Sequence, residues 1–120
     1  KTNDSLETEI VRLDDVFKTG KYDVLKMDTE GYEAKILQGA QKLLKRNPDM
    51  LIVMEWSKDA LISKGSDPAA CLKNLQDLGY KYYWQIGEKK GDQPNFIKVS
   101  SEQIMNIPYC DLVISRKETL

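Results

Sequence analysis

The sequence predicts an α/β fold: an open, mostly parallel sheet with helices on both faces and an antiparallel closing strand. Three observations predict it. Short apolar runs alternate with stretches whose apolar residues recur every three or four positions. The run at 22–28 is compact and mostly apolar, a buried strand, and the run at 49–56 lacks polar alternation, which suggests cover on both faces. The last two strand-like runs have no long helix between them, so they should pair antiparallel at the sheet edge.

Taken in order, residues 1–9 are polar and form a ragged start. Residues 9–13 suit a short strand, and Asp14-Asp15 stand where a short helix begins. Gly20-Lys21 marks a turn before the buried strand at 22–28. From Glu30 to Arg46 the period changes: Ile36, Leu37, Ala40, Leu43 and Leu44 line one face of a single helix. Glu30 and Glu33 near its start, with Lys42, Lys45 and Arg46 near its end, complement the helix dipole, and Asn47-Pro48 stops it. The strand at 49–56 is followed by a polar loop through 63–66. Asp67 is a natural N-cap with Pro68 in the first helical position, Leu72, Leu75 and Leu78 form the stripe, and Gly79 fits the residue after the C-cap. An aromatic strand at 80–86 precedes a charged, glycine-bearing loop at 87–95. Ser100 and Gln103 form a capping box for a short helix ending before Pro108, and 111–116 is the last strand.

Composition narrows the function. The 120 residues fit one domain, and 18 basic against 19 acidic side chains give a net charge of -1. No basic surplus exists to hold nucleic acid or an anionic membrane, and no apolar run approaches the roughly 20 residues that span a bilayer. The N-terminus is not a secretory leader and lacks an initiator Met, so the chain reads as a piece of something longer. Without histidine, neither a Ser-His-Asp triad nor a His-based metal site can be built from this segment. Cys71 and Cys110 show no metal-ligand spacing and no CxxC; they read as reduced, partly buried thiols of a cytoplasmic protein. No metal site is expected. Acid–base chemistry therefore rests on carboxylates, Lys, Tyr or Cys.

In open α/β sheets ligands bind beyond the carboxyl ends of parallel strands. The first such end is Lys26-Met27-Asp28-Thr29-Glu30-Gly31-Tyr32-Glu33, and the next is Met54-Glu55-Trp56. Alternation puts Val24, Lys26 and Asp28 on one strand face, so Glu55 falls laterally near Lys26 and Asp28. A lysine inside an apolar strand is costly unless paired, which predicts an ion pair from Lys26 to Glu55 or Glu30. The plainer alternative makes Glu30 and Glu33 helix-dipole residues and Asp28 a cap. The aromatic run Tyr80, Tyr82, Tyr83 and Trp84 offers either a stacking surface or, better, a strand packed on helices; Lys89-Lys90 suits a solvated loop.

Leu13-Asp14-Asp15, then 22–33, then Ile36-Leu37-Gln38-Gly39-Ala40, with Glu55 closing the next strand, resembles the FkbM methyltransferase signature. The likeness is close over 10–56 and extends to 66–116 by layout. It implies a partial class I, Rossmann-like methyltransferase domain over 1–120, its C-terminal portion, with 22–28 as the fourth strand and 49–56 as the fifth. It also implies methyl transfer from S-adenosylmethionine, typically onto an oxygen of a small-molecule or glycan acceptor. Asp28 and Glu30 would then stand at the acceptor, one as a base or as support for a cation, with Lys26 and Glu55 orienting them. The seven glycines include no GxG pair, so the family's cofactor loop is missing and the chain alone is expected to be inactive.

Two other readings remain: a non-catalytic α/β interaction module, and a sugar transferase using Asp28-Thr29-Glu30 as a DxD-like site. The latter fits less well because a long helix is expected directly after the motif. Loss of the first three strands would leave one edge of the strand at 22–28 unpaired, which predicts self-association through that edge, as a dimer, or disorder near the N-terminus.

Overall fold

A computed structural model describes residues 5–120. Residues 1–4, part of the ragged start, lie outside the described residues. The elements run α1 Leu13–Val16, β1 Val24–Met27, α2 Glu33–Gln38, α3 Gln41–Arg46, β2 Leu51–Ser57, α4 Lys58–Ser63, α5 Pro68–Asp77, β3 Tyr82–Lys90, β4 Gln93–Val99, α6 Ser101–Met105 and β5 Tyr109–Ser115. One five-stranded sheet has the order β1-β2-β5-β3-β4. Only β1 and β2 pair parallel; β2–β5, β3–β5 and β3–β4 are antiparallel. The α/β class and the open sheet hold, but the expected mostly parallel pairing does not. β5 inserts between β2 and β3 rather than closing the edge, so two antiparallel pairings stand where β2 and β3 would otherwise meet once.

The second correction concerns cover. Register puts Leu25 and Met27, Ile52 and Met54, Leu112 and Ile114, and Tyr83 on one face. That face meets Leu37, Leu44, Leu61, Leu75 and Ile104 from the helices in a single core. The other face carries Val24, Lys26, Val53, Glu55, Val113 and Trp84. Among the described residues no helix contributes to it, and Val24, Ile86, Phe96 and Tyr109 stay exposed there. Burial along β2 therefore alternates although its sequence does not, and β1 is an edge strand with only Met27 buried. An apolar run permits two-sided cover; it does not require it.

Local signals explain the remaining differences. The single helix expected from Glu30 to Arg46 is two, broken at Gly39-Ala40. Asp14 causes the division: its backbone N–H donates to the Gly39 carbonyl at 2.9 Å, and its carboxylate accepts from the N–H groups of Lys42 (3.1 Å) and Leu43 (2.9 Å). A distant side chain thus caps α3. Residues 9–13 form no strand; the segment is irregular up to α1. The loop expected after β2 is α4, started by Ser57, whose hydroxyl accepts from the Ala60 N–H at 3.2 Å. The loop expected at 87–95 is the tip of a β3–β4 hairpin turning on Gly91, at φ +64.

Other expectations hold. Asp67 caps α5 with Pro68 at its start, Gly79 follows its end at φ +93, and the Ser100–Gln103 capping box makes both bonds. The aromatic run mainly packs: Tyr80 and Tyr83 are fully buried, their hydroxyls donating to the carbonyls of Met50 and Tyr80. Arg116 ties helix ends to β5, donating to the carbonyls of Leu78, Asn47 and Leu44 at 2.8, 3.0 and 2.9 Å.

Candidate functional site

The parallel pair ends side by side. Met27 stands in register with Met54, so Asp28 follows β1 beside Glu55 of β2. β5 adds Asp111 in register with Glu55, and Tyr109 in register with Ser57. Lys26, Asp28, Val53, Glu55, Ile86 and Asp111 are among the residues lining a cleft of about 250 Å³ on the bare face. Asn47 sets where β1 begins. Its buried side chain accepts from the Tyr22 N–H at 2.9 Å and donates to the Leu43 carbonyl at 2.9 Å.

The turn after β1 is tightly held. The Glu33 carboxylate, 2% exposed, accepts from the Thr29 N–H (2.8 Å), the Thr29 hydroxyl (2.6 Å) and the Gly31 N–H (2.9 Å). Gly31 has φ +108, and a Cβ there would overlap the Ala60 carbonyl. Glu30 is left-handed as well, at φ +53, a conformation that side chains other than glycine rarely adopt. Its side chain is exposed and does not line the cleft.

Electrostatics mark the cleft as acidic. The Asp28 carboxyl hydrogen-bonded to Glu55 pushes the Glu55 pKa up; burial and the charges of Asp28, Asp111 and Glu33 push the same way. The Tyr109 hydroxyl is also held above its ordinary value, first by the charge of Glu55, then by burial, Asp111 and Asp28. The ion pair expected for Lys26 is absent: Lys26 lines the cleft but forms no salt bridge with any described residue. The bare face explains this, because a lysine whose face meets water needs no partner.

Of the four residues picked from the sequence, Lys26, Asp28 and Glu55 come together and Glu30 stands apart. Asp111 and Tyr109 escaped the sequence reading, since only β5 lying beside β2 makes them neighbours of Glu55. A wider apolar groove of about 630 Å³, lined by Ile10, Val11, Leu13, Tyr32 and Ile36 among others, runs between the N-terminal segment and α2. It holds no carboxylate. Cys71 and Cys110 are buried and free, and burial pushes their thiols up to about 12 and about 11. Among the described residues no group of three His, Cys, Asp or Glu is placed to hold a metal ion. No helix among them is long and apolar enough to cross a membrane.

The methyltransferase FkbM domain model matches residues 1–82, more than half of the chain. The chain belongs to the FkbM methyltransferase family. No curated protein and no solved structure matches it. The signature can now be read as structure. The Leu13-Asp14-Asp15 element of this FkbM chain supplies the α3 cap, and Gly39-Ala40 is the helix break it serves. The run from Lys26 to Glu33 builds the strand end and its turn, and Glu55 completes the carboxyl pair. Asp111 and Tyr109 lie beyond the segment matched to the family.

Proposed function

We propose that this FkbM chain forms the acceptor side of an S-adenosylmethionine-dependent O-methyltransferase site, acting on a small-molecule or glycan hydroxyl. The Asp28–Glu55 carboxyl pair at the ends of the parallel strands carries the reading. Support for the fold assignment comes from β5, an antiparallel strand inserted beside β2, as in the last strand of a class I methyltransferase sheet.

S-adenosylmethionine supplies an electrophilic methyl group when bound. The residues here do not form a holder for it. No two glycines are spaced as GxG, and the cleft, at about 250 Å³, is below the roughly 300 Å³ of common ligand pockets. Its holder is therefore assigned to polypeptide outside these 120 residues. What this chain supplies is proton handling. An acceptor hydroxyl seated between Asp28 and Glu55 gives its proton to the ionised member of the pair as its oxygen becomes a nucleophile. Once ionised, Glu55 is a better base than an ordinary carboxylate because its pKa is raised. Lys26, unpaired at the cleft wall, orients the acceptor by donating to a second oxygen.

A second reading, a non-catalytic interaction module, is favoured by the bare apolar sheet face. Calorimetric titration of S-adenosylmethionine into this chain and into an upstream-extended polypeptide separates the two. Binding and methyl transfer by the extended polypeptide alone support the enzyme, and Asp28→Asn should then lower its turnover by about 10²–10⁴-fold. Binding by the short chain would overturn the placement of the holder. An extended polypeptide that neither binds nor transfers would leave the module.

A further inference from the structure

Glu33 opens α2, yet its carboxylate does not serve that helix. Both oxygens reach backward, to the N–H and hydroxyl of Thr29 and the N–H of Gly31. It is almost fully buried, and among the described residues it has no salt bridge. Burying a carboxylate without a cation is expensive, and three accepted hydrogen bonds offset that cost only while the turn keeps its shape. The turn includes two consecutive left-handed residues, Glu30 and Gly31, and Gly31 is packed too closely on the Ala60 carbonyl to admit a Cβ. Such strain persists only where the surroundings fix it.

We propose that Glu33 is the positioning residue of the strand-end site: by clamping residues 29–31 it fixes Asp28 in contact with Glu55. The proposal rests on the reading that the Asp28–Glu55 cleft is the reactive site. Asp28 is the last residue before the clamped segment, with no helix of its own to hold it. Releasing Thr29 and Gly31 frees its backbone, and the pair separates. Glu33 is thus a positioning residue, not a catalytic one.

The test reads Glu55 directly, by NMR titration of its carboxyl carbon in the isolated chain. Lys26 from β1, Asp28 just after it, Asp111 and Tyr109 from β5, and Glu33 from α2 all face or act on that group. Glu33→Gln should shift the Glu55 midpoint down toward the ordinary carboxylate range, but removal of the Glu33 charge contributes to that shift. Thr29→Val keeps the charge and removes one of the clamp's three bonds, and Gly31→Ala keeps the charge but displaces the turn by forcing a Cβ against the Ala60 carbonyl. Positioning predicts a downward shift in these two as well, and Glu33→Asp should recover part of the wild-type midpoint. If Gly31→Ala fails to fold, Thr29→Val decides. A folded Thr29→Val chain whose Glu55 titrates as in the wild type would overturn the proposal. Because no substrate enters the measurement, failure of methyl transfer bears on the proposed reaction alone.

Discussion

Glu55 holds its proton to higher pH than a free carboxyl because Asp28 is hydrogen-bonded to it and the Asp28, Asp111 and Glu33 charges surround it. The consequence for stability has a definite sign. A group whose folded pKa lies above its unfolded value contributes stability that is fully present below the unfolded pKa. That stability is lost as pH rises through the folded one. The native chain should therefore lose stability just above the ordinary carboxylate range, as the Asp28–Glu55 pair becomes doubly charged. Glu55→Gln removes that loss. Melting temperatures measured from acid to neutral pH should show a flatter profile for the variant on the neutral side; parallel profiles would mean the two carboxyls do not interact. Lys26 teaches the complementary lesson. Its type and neighbours suggested a buried ion pair, but no sequence pattern reveals whether a sheet face will be covered.

At the scale of elements, α3 is a six-residue helix that cannot stand on propensity alone. Asp14 satisfies two of its free N–H groups from a segment earlier in the chain. Asp14→Ala should cost about 1–2 kcal/mol in urea denaturation, with Asp14→Asn retaining part of the cap. An unchanged denaturation midpoint would show that water caps α3 equally well. Elements with local signals were legible: α5 from Asp67, Pro68 and Gly79, α6 from Ser100 and Gln103, the stop after α3 from Asn47-Pro48. The break at Gly39-Ala40 was not, because the apolar period continues across it and the cap comes from elsewhere. Nor was the β3–β4 hairpin, whose tips are exposed and therefore polar, so that Gly87 to Asn95 resembles a loop.

At the scale of the whole molecule, the helices gather on one face of the sheet; on the other, Val113 and Trp84 are buried but Val24, Ile86, Phe96 and Tyr109 stay exposed. Among the described residues β1 is an edge strand, bonded only to β2, and Val24 on it is exposed. Unpaired edges and bare apolar faces invite a partner. We propose self-association through the β1 edge. Sedimentation equilibrium should give a mass that rises with protein concentration, and Val24→Lys should weaken the rise. A monomer at every concentration would count against it. The opposite edge is better protected, since β4 carries Pro94 and Lys98, residues that discourage edge pairing.

What the sequence by itself determined follows from short-range chemistry. Apolar runs, caps and stops placed most elements within a few residues, and the run from Lys26 to Glu33 with Glu55 carried the FkbM family and three of the cleft residues. The tertiary structure alone decided the antiparallel majority of the sheet, the one-sided helix layer, and the entry of Asp111 and Tyr109 beside Glu55. It also decided that Glu33 grips the turn instead of serving its helix. The reason is physical. Periodicity and capping act within a few residues, whereas strand order, face cover and cross-strand register are set by which distant surfaces pack together, and the same run of valines and methionines fits either arrangement.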